Sequence, residues 1–506
     1  MNVVGIEVAL VTLYFLVLGF LCTFGVHRAV LVFQCLRYRR RTERAQRVQC
    51  PPEAELPVVT VQLPLYNEAT VVARLLEAAA RLDYPRDRLE IQVLDDSTDE
   101  TRVIAERKVR ELQATGLDIA YVRRADRVGY KAGALDFGLA RAKGSLIAIF
   151  DADFVPQPNF VRAIVGHFQN PNVGMVQTRW GHMNRDANVL TQVQALMLDG
   201  HHLVENRARF GSGCFFNFSG TGGMWRKEAI AAAGGWQHDT LTEDLDLSYR
   251  AQLAGYRFVY RPDVITPSEL PEDMSALRAQ QYRWGKGTVQ TARKLLGTVL
   301  KAPLSLHERV EACFHMLPHF AYPFMMLLSI LLLPALVLLP ATDMSTMLIV
   351  DLPLCIGATG SLAGFYMLAE LSQGRPAWGA IKRLPVLIAL GAGLSPHLTK
   401  AVYSGMTSMA GEFVRTPKRG EAAGRYRQVA NLPLVEMGLT LLCATSVVAA
   451  VETGHWFAAP FATLFTIGYG YVSALMIREQ LFVGRTSQAP AAPSAELEEA
   501  SLAEAA

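Results

Sequence analysis

Charge is what this sequence has least of. Only 19% of its 506 residues are Asp, Glu, Lys or Arg, and the formal net charge is +3. So small a balance gives no footing for nucleic acid, which is not expected as a partner. Zinc-like cysteine spacing is also missing. The seven cysteines (22, 35, 50, 214, 313, 355 and 443) are scattered, several of them in apolar runs. That excludes a zinc ribbon or finger and fits a reduced, cytosolic setting for the middle of the chain. No basic n-region precedes the first apolar run, which at residues 3–34 also exceeds a signal-peptide core. The run therefore reads as a membrane helix rather than a cleaved leader.

Hydrophobic residues, at 51%, are abundant and unevenly placed. Long apolar runs lie at 3–34 and after 316, and the stretch between has ordinary soluble composition. This pattern predicts an integral membrane protein with one large aqueous domain. Arg37, Arg39, Arg40, Arg41, Arg44 and Arg47 follow the first run at once. By the positive-inside rule they put the end of that helix in the cytoplasm, and the middle domain with it. The expected divisions are a membrane helix at 1–36, a basic linker at 37–55, a cytoplasmic domain at 56–300, a membrane region at 301–478 and a tail at 479–506 whose Ala, Pro and Glu content predicts disorder.

In the middle domain short β-rich runs alternate with helical stretches. Strands are expected at 58–63, 89–94, 117–122 and 145–150, with a further strand-like run at Cys214–Phe218. Alternation of this kind implies an α/β fold with a mostly parallel sheet, whose ligands bind beyond the carboxyl ends of the strands. Three of those ends are polar: Tyr66-Asn67-Glu68, Asp95-Asp96, and Asp151-Ala152-Asp153.

Asp151 and Asp153, two apart in extended chain, face one site and suit Mg2+ or Mn2+, although a solvated acidic turn would look the same. Asp95-Asp96 serves equally as a helix cap or as acceptors for a base or ribose. Lys131 sits between Gly129 and Gly133, where close backbone approach and a point charge suit phosphate. Gly220-Thr-Gly-Gly223 lacks the Gly-Lys-Ser/Thr ending of a Walker loop and reads as a turn that lets a sugar approach backbone. Thr240-Leu-Thr-Glu243 fits a capping box, yet carboxylates at 243, 244 and 246 exceed what a cap needs. Crowded carboxylates raise one another's pKa, which suits a general base, here Asp244. Gln280, Arg283 and Trp284 share one helix face and offer a phosphate fork beside an apolar platform for a pyranose.

In order, Asp95-Asp96, Asp151-Ala-Asp153, Thr242-Glu-Asp244 and Gln280-x-x-Arg283-Trp284 resemble the D, DxD, TED, QxxRW signature of processive family 2 glycosyltransferases. Val61–Glu68, Gln92–Asp99, Gly129–Leu135 and Gln280–Trp284 look most like the glucomannan 4-β-mannosyltransferase branch of the cellulose-synthase-like proteins. The resemblance implies a GT-A fold, a nucleotide sugar (GDP-mannose or UDP-glucose), a divalent metal, and inversion to a β-linked polymer. On that resemblance Asp95 and Asp96 hold the nucleotide and Lys131 the diphosphate. Asp151 and Asp153 hold diphosphate and metal, Asp244 in Thr242-Glu243-Asp244 is the base, Arg283 binds diphosphate, and Gln280 and Trp284 line the acceptor site. The product is then a β-mannan, glucomannan or β-glucan threaded through the protein's own helices in the plasma or inner membrane. Rival readings are a single transfer to a membrane lipid, as in ceramide glucosyltransferases, and a non-enzymatic scaffold or transporter.

Beyond residue 316 apolar runs fall at 316–340, 346–371, 380–408, 432–453 and 456–477. Basic residues flank the third on both sides, and Pro385, Gly391, Gly393 and Pro396 interrupt it. It is therefore expected to lie in the interface or re-enter, leaving about five spans in all with the N-terminus outside. Phe413-Val-Arg-Thr-Pro-Lys418, within a loop at 410–430, resembles the nucleotide-covering gating loop of cellulose synthases. Thr416 and Lys418 match that pattern, and Arg415 stands where it has Val.

Overall fold

The structure, a computed structural model, describes residues 3–339, 359–409, 411 and 432–486. Thr416, Lys418 and the rest of the expected gating loop lie outside the described residues. The chain opens with helix α1 (Val3–Arg37) and then enters the aqueous domain. There β1 (Val59–Leu65), β2 (Leu89–Asp95), β3 (Ile119–Val122), β4 (Leu146–Ile149), β5 (Val173–His182), β6 (Gly223–Arg226) and β7 (Arg257–Ser268) form a single sheet. Its order is β3-β2-β1-β4-β6-β5-β7. The β1–β2, β2–β3, β1–β4 and β5–β7 pairs are parallel, and β6 runs antiparallel to both its neighbours.

Alternation along β1 explains why both faces are covered. Val59, Val61, Leu63 and Leu65 face α2 (Val72–Ala80) and α3 (Thr101–Gln113) and are buried with Leu75, Leu76 and Val109. Truncating one such side chain, Leu76→Ala for example, would cost about 2–5 kcal/mol. Thr60 and Gln62 point the other way, where polar groups must find partners. Thr60 Oγ1 donates to Glu90 (2.6 Å), and Gln62 Nε2 donates to Gln92 (3.1 Å) and to the Leu135 carbonyl (3.3 Å) on α4 (Tyr130–Leu139). The chain visits β2 and β3 on one side of β1, then crosses back to β4 on the other. That reversal opens a crevice at the carboxyl ends of β1 and β4, where Tyr66, Asp151 and Asp153 lie.

The run Cys214–Phe218 is not a strand. Its backbone is satisfied by side chains of α5 (Glu243–Leu253): Phe216 N–H bonds Gln252 Oε1 and Phe218 N–H bonds Ser248 Oγ (2.8 Å). With no ladder partner left to make, the segment stays outside the sheet.

After β7 comes the long helix α6 (Met274–Lys301), then α7 (Ala321–Leu338), α8 (Ser361–Leu371), α9 (Trp378–Thr407), α10 (Leu434–Glu452) and α11 (Ala458–Thr486). Among the described residues four helices are long and apolar enough to cross a membrane: Gly5–Arg37, Pro318–Leu338, Leu434–Glu452 and Ala458–Leu481. The run at 346–371 is described only over α8, and most of the remainder lies outside the described residues. Helix α9 covers the third of the later apolar runs and continues unbroken through Pro385 and Pro396. Each proline removes one backbone hydrogen bond, a loss its packing outweighs: Leu384, Leu394 and Leu398 are buried with Leu277 of α6 and Val472 of α11. At Gly393 the crossing with α11 is close enough that a Cβ would stand 2.2 Å from the Gly468 carbonyl.

Candidate active site

Lys131, Asp151, Asp153, Glu243, Asp244, Gln280, Arg283 and Trp284, dispersed over more than 150 positions, line one pocket. Asp151 and Asp153 come from the turn after β4. Lys131 comes from the first turn of α4, whose N-cap Gly129 takes φ +75°. Glu243 and Asp244 open α5, and Gln280, Arg283 and Trp284 lie on α6.

Lys131 is the electrostatic hinge of the site. Its Nζ lies 2.5 Å from Asp151 Oδ1 and donates to the Gly220 carbonyl at 3.0 Å. Burial pulls its pKa down, but Asp151, Glu243 and Asp244 outweigh that and hold it above the ordinary lysine range. Gly220 takes φ +81°, and a Cβ there would meet Asp244 Oδ2 at 3.0 Å, so only glycine brings this turn against the carboxylate. Asp244 has its pKa raised to about 7, first by burial and then by the charge of Glu243, with Lys131 opposing. Arg283 is pulled below its usual range by burial, while Glu243, Asp151, Asp244 and Asp153 favour its charged form.

The capping box expected at Thr240-Leu-Thr-Glu243 does not form. The helix begins at Glu243, and the N-cap Thr242 makes no side-chain cap bond. Its hydroxyl instead pairs with Thr291 Oγ1 of α6 at 3.0 Å. Asp246, the third acid, is fully buried against Arg250 (2.5 Å) and Lys294 (2.9 Å). It is structural, which leaves Glu243 and Asp244 for the pocket.

The acidic pair after β2 divides the same way. Asp95 is 1% exposed and does not line the pocket; it accepts from the Ser97 amide (2.9 Å) and the Tyr121 hydroxyl (2.6 Å). Asp96 does line it, held by the forked guanidinium of Arg124. Beside it Arg127 lies over the Tyr66 ring, 3.2 Å from the centroid. Sequence reasoning missed Trp180, Phe154 and Leu270 in the wall. Strand alternation could have flagged Trp180 on β5. Phe154 and Leu270 sit in loops that carry no such signal.

Among the described residues no group of three or more His, Cys, Asp or Glu side chains could hold a metal by itself. Two hard carboxylates, Asp151 and Asp153, open into the pocket, and they fit Mg2+ or Mn2+ arriving with diphosphate and water oxygens.

The sequence profile described as "Glycosyltransferase like family 2" matches residues 57–287. Glucomannan 4-beta-mannosyltransferase 2 of Arabidopsis thaliana is 43% identical over 253 residues, 49% of this chain and 47% of that one. The chain thus spans about half the length of that relative. Glucomannan 4-beta-mannosyltransferase 1 of Oryza sativa subsp. japonica is 31% identical over 501 residues, covering 89% of this chain and 91% of its own. Among solved structures, the mannosyltransferase PcManGT from Pyrobaculum calidifontis in complex with GDP-Man and Mn2+ matches with TM-score 0.47 and 23% identity, over 76% of this chain and 99% of that one.

Proposed function

This chain belongs to the family 2 glycosyltransferases, and on that premise we propose that it is an inverting membrane hexosyltransferase that builds a β-linked mannan or glucomannan from a nucleotide sugar. The names of its relatives favour mannose as the sugar. The observation that carries the mechanism is Asp244, poised near neutrality on the same pocket as Lys131 and Arg283.

In the reaction an acceptor hydroxyl attacks the anomeric carbon from the face opposite the diphosphate. The new C–O bond forms as the bond to the diphosphate oxygen breaks, which inverts the anomeric centre. The hydroxyl proton passes to Asp244, a transfer worth about 10²–10⁴ in rate. The diphosphate leaves with the bonding electron pair, its charge met by Lys131 and Arg283. Asp151 and Asp153 would hold a divalent cation, which would supply further neutralisation of that leaving charge. Asp96 and the Tyr66–Arg127 stack form the far wall, where the nucleoside fits. Trp284 and Gln280 form the acceptor side, Trp284 offering a flat apolar face to the sugar. The single N-terminal helix and its basic flank support a cytoplasmic position for the pocket.

Nucleotide release by the purified full-length protein, screened with GDP-mannose and UDP-glucose, tests the donor. Radiolabelled product is then sized. Alkali-stable polymer digested by a β-mannanase is expected, whereas a lipid-extractable monoglycoside would replace the polymerase reading with single transfer to lipid.

A further inference from the structure

The catalytic loop is held by helix α6 through a stripe that begins at the pocket. Arg283 lines the pocket. One turn on, Gly287 packs so closely that a Cβ would stand 2.6–2.8 Å from Leu241 and Thr242. Gln290 and Thr291 follow on the same face, and Lys294 ends the stripe on Asp239 (2.7 Å) and Asp246 (2.9 Å).

Within the stripe Gln290 bonds both the loop before Asp244 and the end of α9. It is fully buried. Its Oε1 accepts from the Leu241 amide at 3.0 Å, three residues before Asp244. Its Nε2 donates to the Ser408 carbonyl at 3.0 Å, just past the end of α9. Nearby, Arg293 donates to the Gly405 carbonyl at 2.8 Å, and a Cβ on Gly405 would meet the Lys286 carbonyl at 2.8 Å. The last turn of α9 is therefore seated on α6 at the level where α6 holds the loop.

We propose that Gln290 is a positioning residue that places the base Asp244 by tying the chain leading into it to the C-terminal end of membrane-side helix α9. Buried amides are costly to leave without partners, so a glutamine whose oxygen and nitrogen serve two different backbones makes the placement of one depend on the other. Movement of α9 along α6 is then felt at the base before it is felt at Arg283, which sits two turns nearer the N-terminus of α6. The proposal deepens the proposed transferase reading and rests on it.

The test uses full-length protein in detergent, with nucleotide release and thermal melting as readouts. Gln290→Met keeps the volume and deletes both bonds. It is expected to lower kcat about tenfold or more while the donor KM stays within about twofold, because the donor-binding groups are untouched. Gln290→Glu keeps an acceptor for Leu241 but, when ionised, has no donor for the Ser408 carbonyl, and is expected to lower kcat by less than Gln290→Met. Thr291→Val, which removes the adjacent bond to Thr242 and leaves Gln290 in place, is expected to lose less than Gln290→Met. Parent-like kcat in Gln290→Met, equal loss in Gln290→Glu and Gln290→Met, or a KM rise matching the kcat loss overturns the assignment. Should Gln290→Met fail to fold, parent-like kcat in Gln290→Glu overturns it alone. A parent whose turnover survives Asp244→Asn sinks the transferase mechanism instead, and the two failures are told apart by that variant.

Discussion

Lys131 Nζ and Asp151 Oδ1 stand 2.5 Å apart, so the lysine is already paired with the first acid of the turn after β4. On the proposed mechanism, arrival of the donor would exchange that partner for phosphate oxygens. Lys131→Gln is expected to weaken nucleoside diphosphate binding at least about tenfold, the range for losing one hydrogen bond between charged groups. Calorimetric titration of the variant with GDP and UDP measures it; unchanged affinity would remove Lys131 from the donor site.

Asp244 works as a base only when ionised. With its pKa raised to about 7 by burial and by Glu243, kcat is expected to rise with pH through that value and then level. Glu243→Gln removes the second of those causes and is expected to move the acid limb to lower pH. A pH–rate profile of both proteins checks it.

The same carboxyl leaves a thermodynamic mark. A folded pKa above the unfolded value means that Asp244 favours the fold when protonated, and that this contribution fades as pH climbs from about 4 to about 7. Asp244→Asn is therefore expected to abolish turnover, to melt higher than the parent at pH 8, and to match it at pH 4. A melting difference that does not grow with pH would contradict the placement of the charge.

Asp153 is buried and aimed at the pocket, and the fit to a hard cation is a matter of two carboxylates and a diphosphate. Chelation is expected to stop turnover, with Mg2+ or Mn2+ restoring it. Asp153→Asn is expected to need at least about tenfold more metal for half-maximal rate. A titration of rate against metal concentration decides this.

Far from the pocket, Glu311 accepts from Arg209 Nε (2.9 Å) and meets His27 Nε2 of α1 (2.9 Å), with both carboxylate and guanidinium 3% exposed. Removing one partner strands the other charge, so Glu311→Ala is expected to destabilise by about 3–5 kcal/mol. Denaturation monitored by tryptophan fluorescence tests it, with donor affinity in the surviving folded fraction unchanged.

Strand ends and chemical spacing made much of the site legible. Short β-rich runs marked β1, β2, β3 and β4 to within a few residues. Asp151, Asp153, Glu243, Asp244, Arg283 and Trp284 were legible because each motif is local. What stayed hidden was set by tertiary partners. Nothing local separates Asp95, turned inward to Tyr121, from Asp96, turned to the pocket. Nothing local shows that Thr242 would bond Thr291 rather than cap its helix, or that α9 would run straight through two prolines because α6 and α11 hold it.

The helix that carries Arg283 and Trp284 begins under a carboxylate from the other end of the protein. Glu479 accepts from the backbone amides of Met274 (2.7 Å) and Ser275 (3.1 Å), residues about two hundred positions earlier. A ribosome delivers that acid about two hundred residues after the helix start it caps. The aqueous domain can thus fold early, while the start of α6 gains this partner only after α11 has been made. A nascent chain arrested before residue 479 would carry every chemical group of the pocket with the start of that helix still short of one cap, so the pocket's helix is finished later than the pocket's own side chains are made.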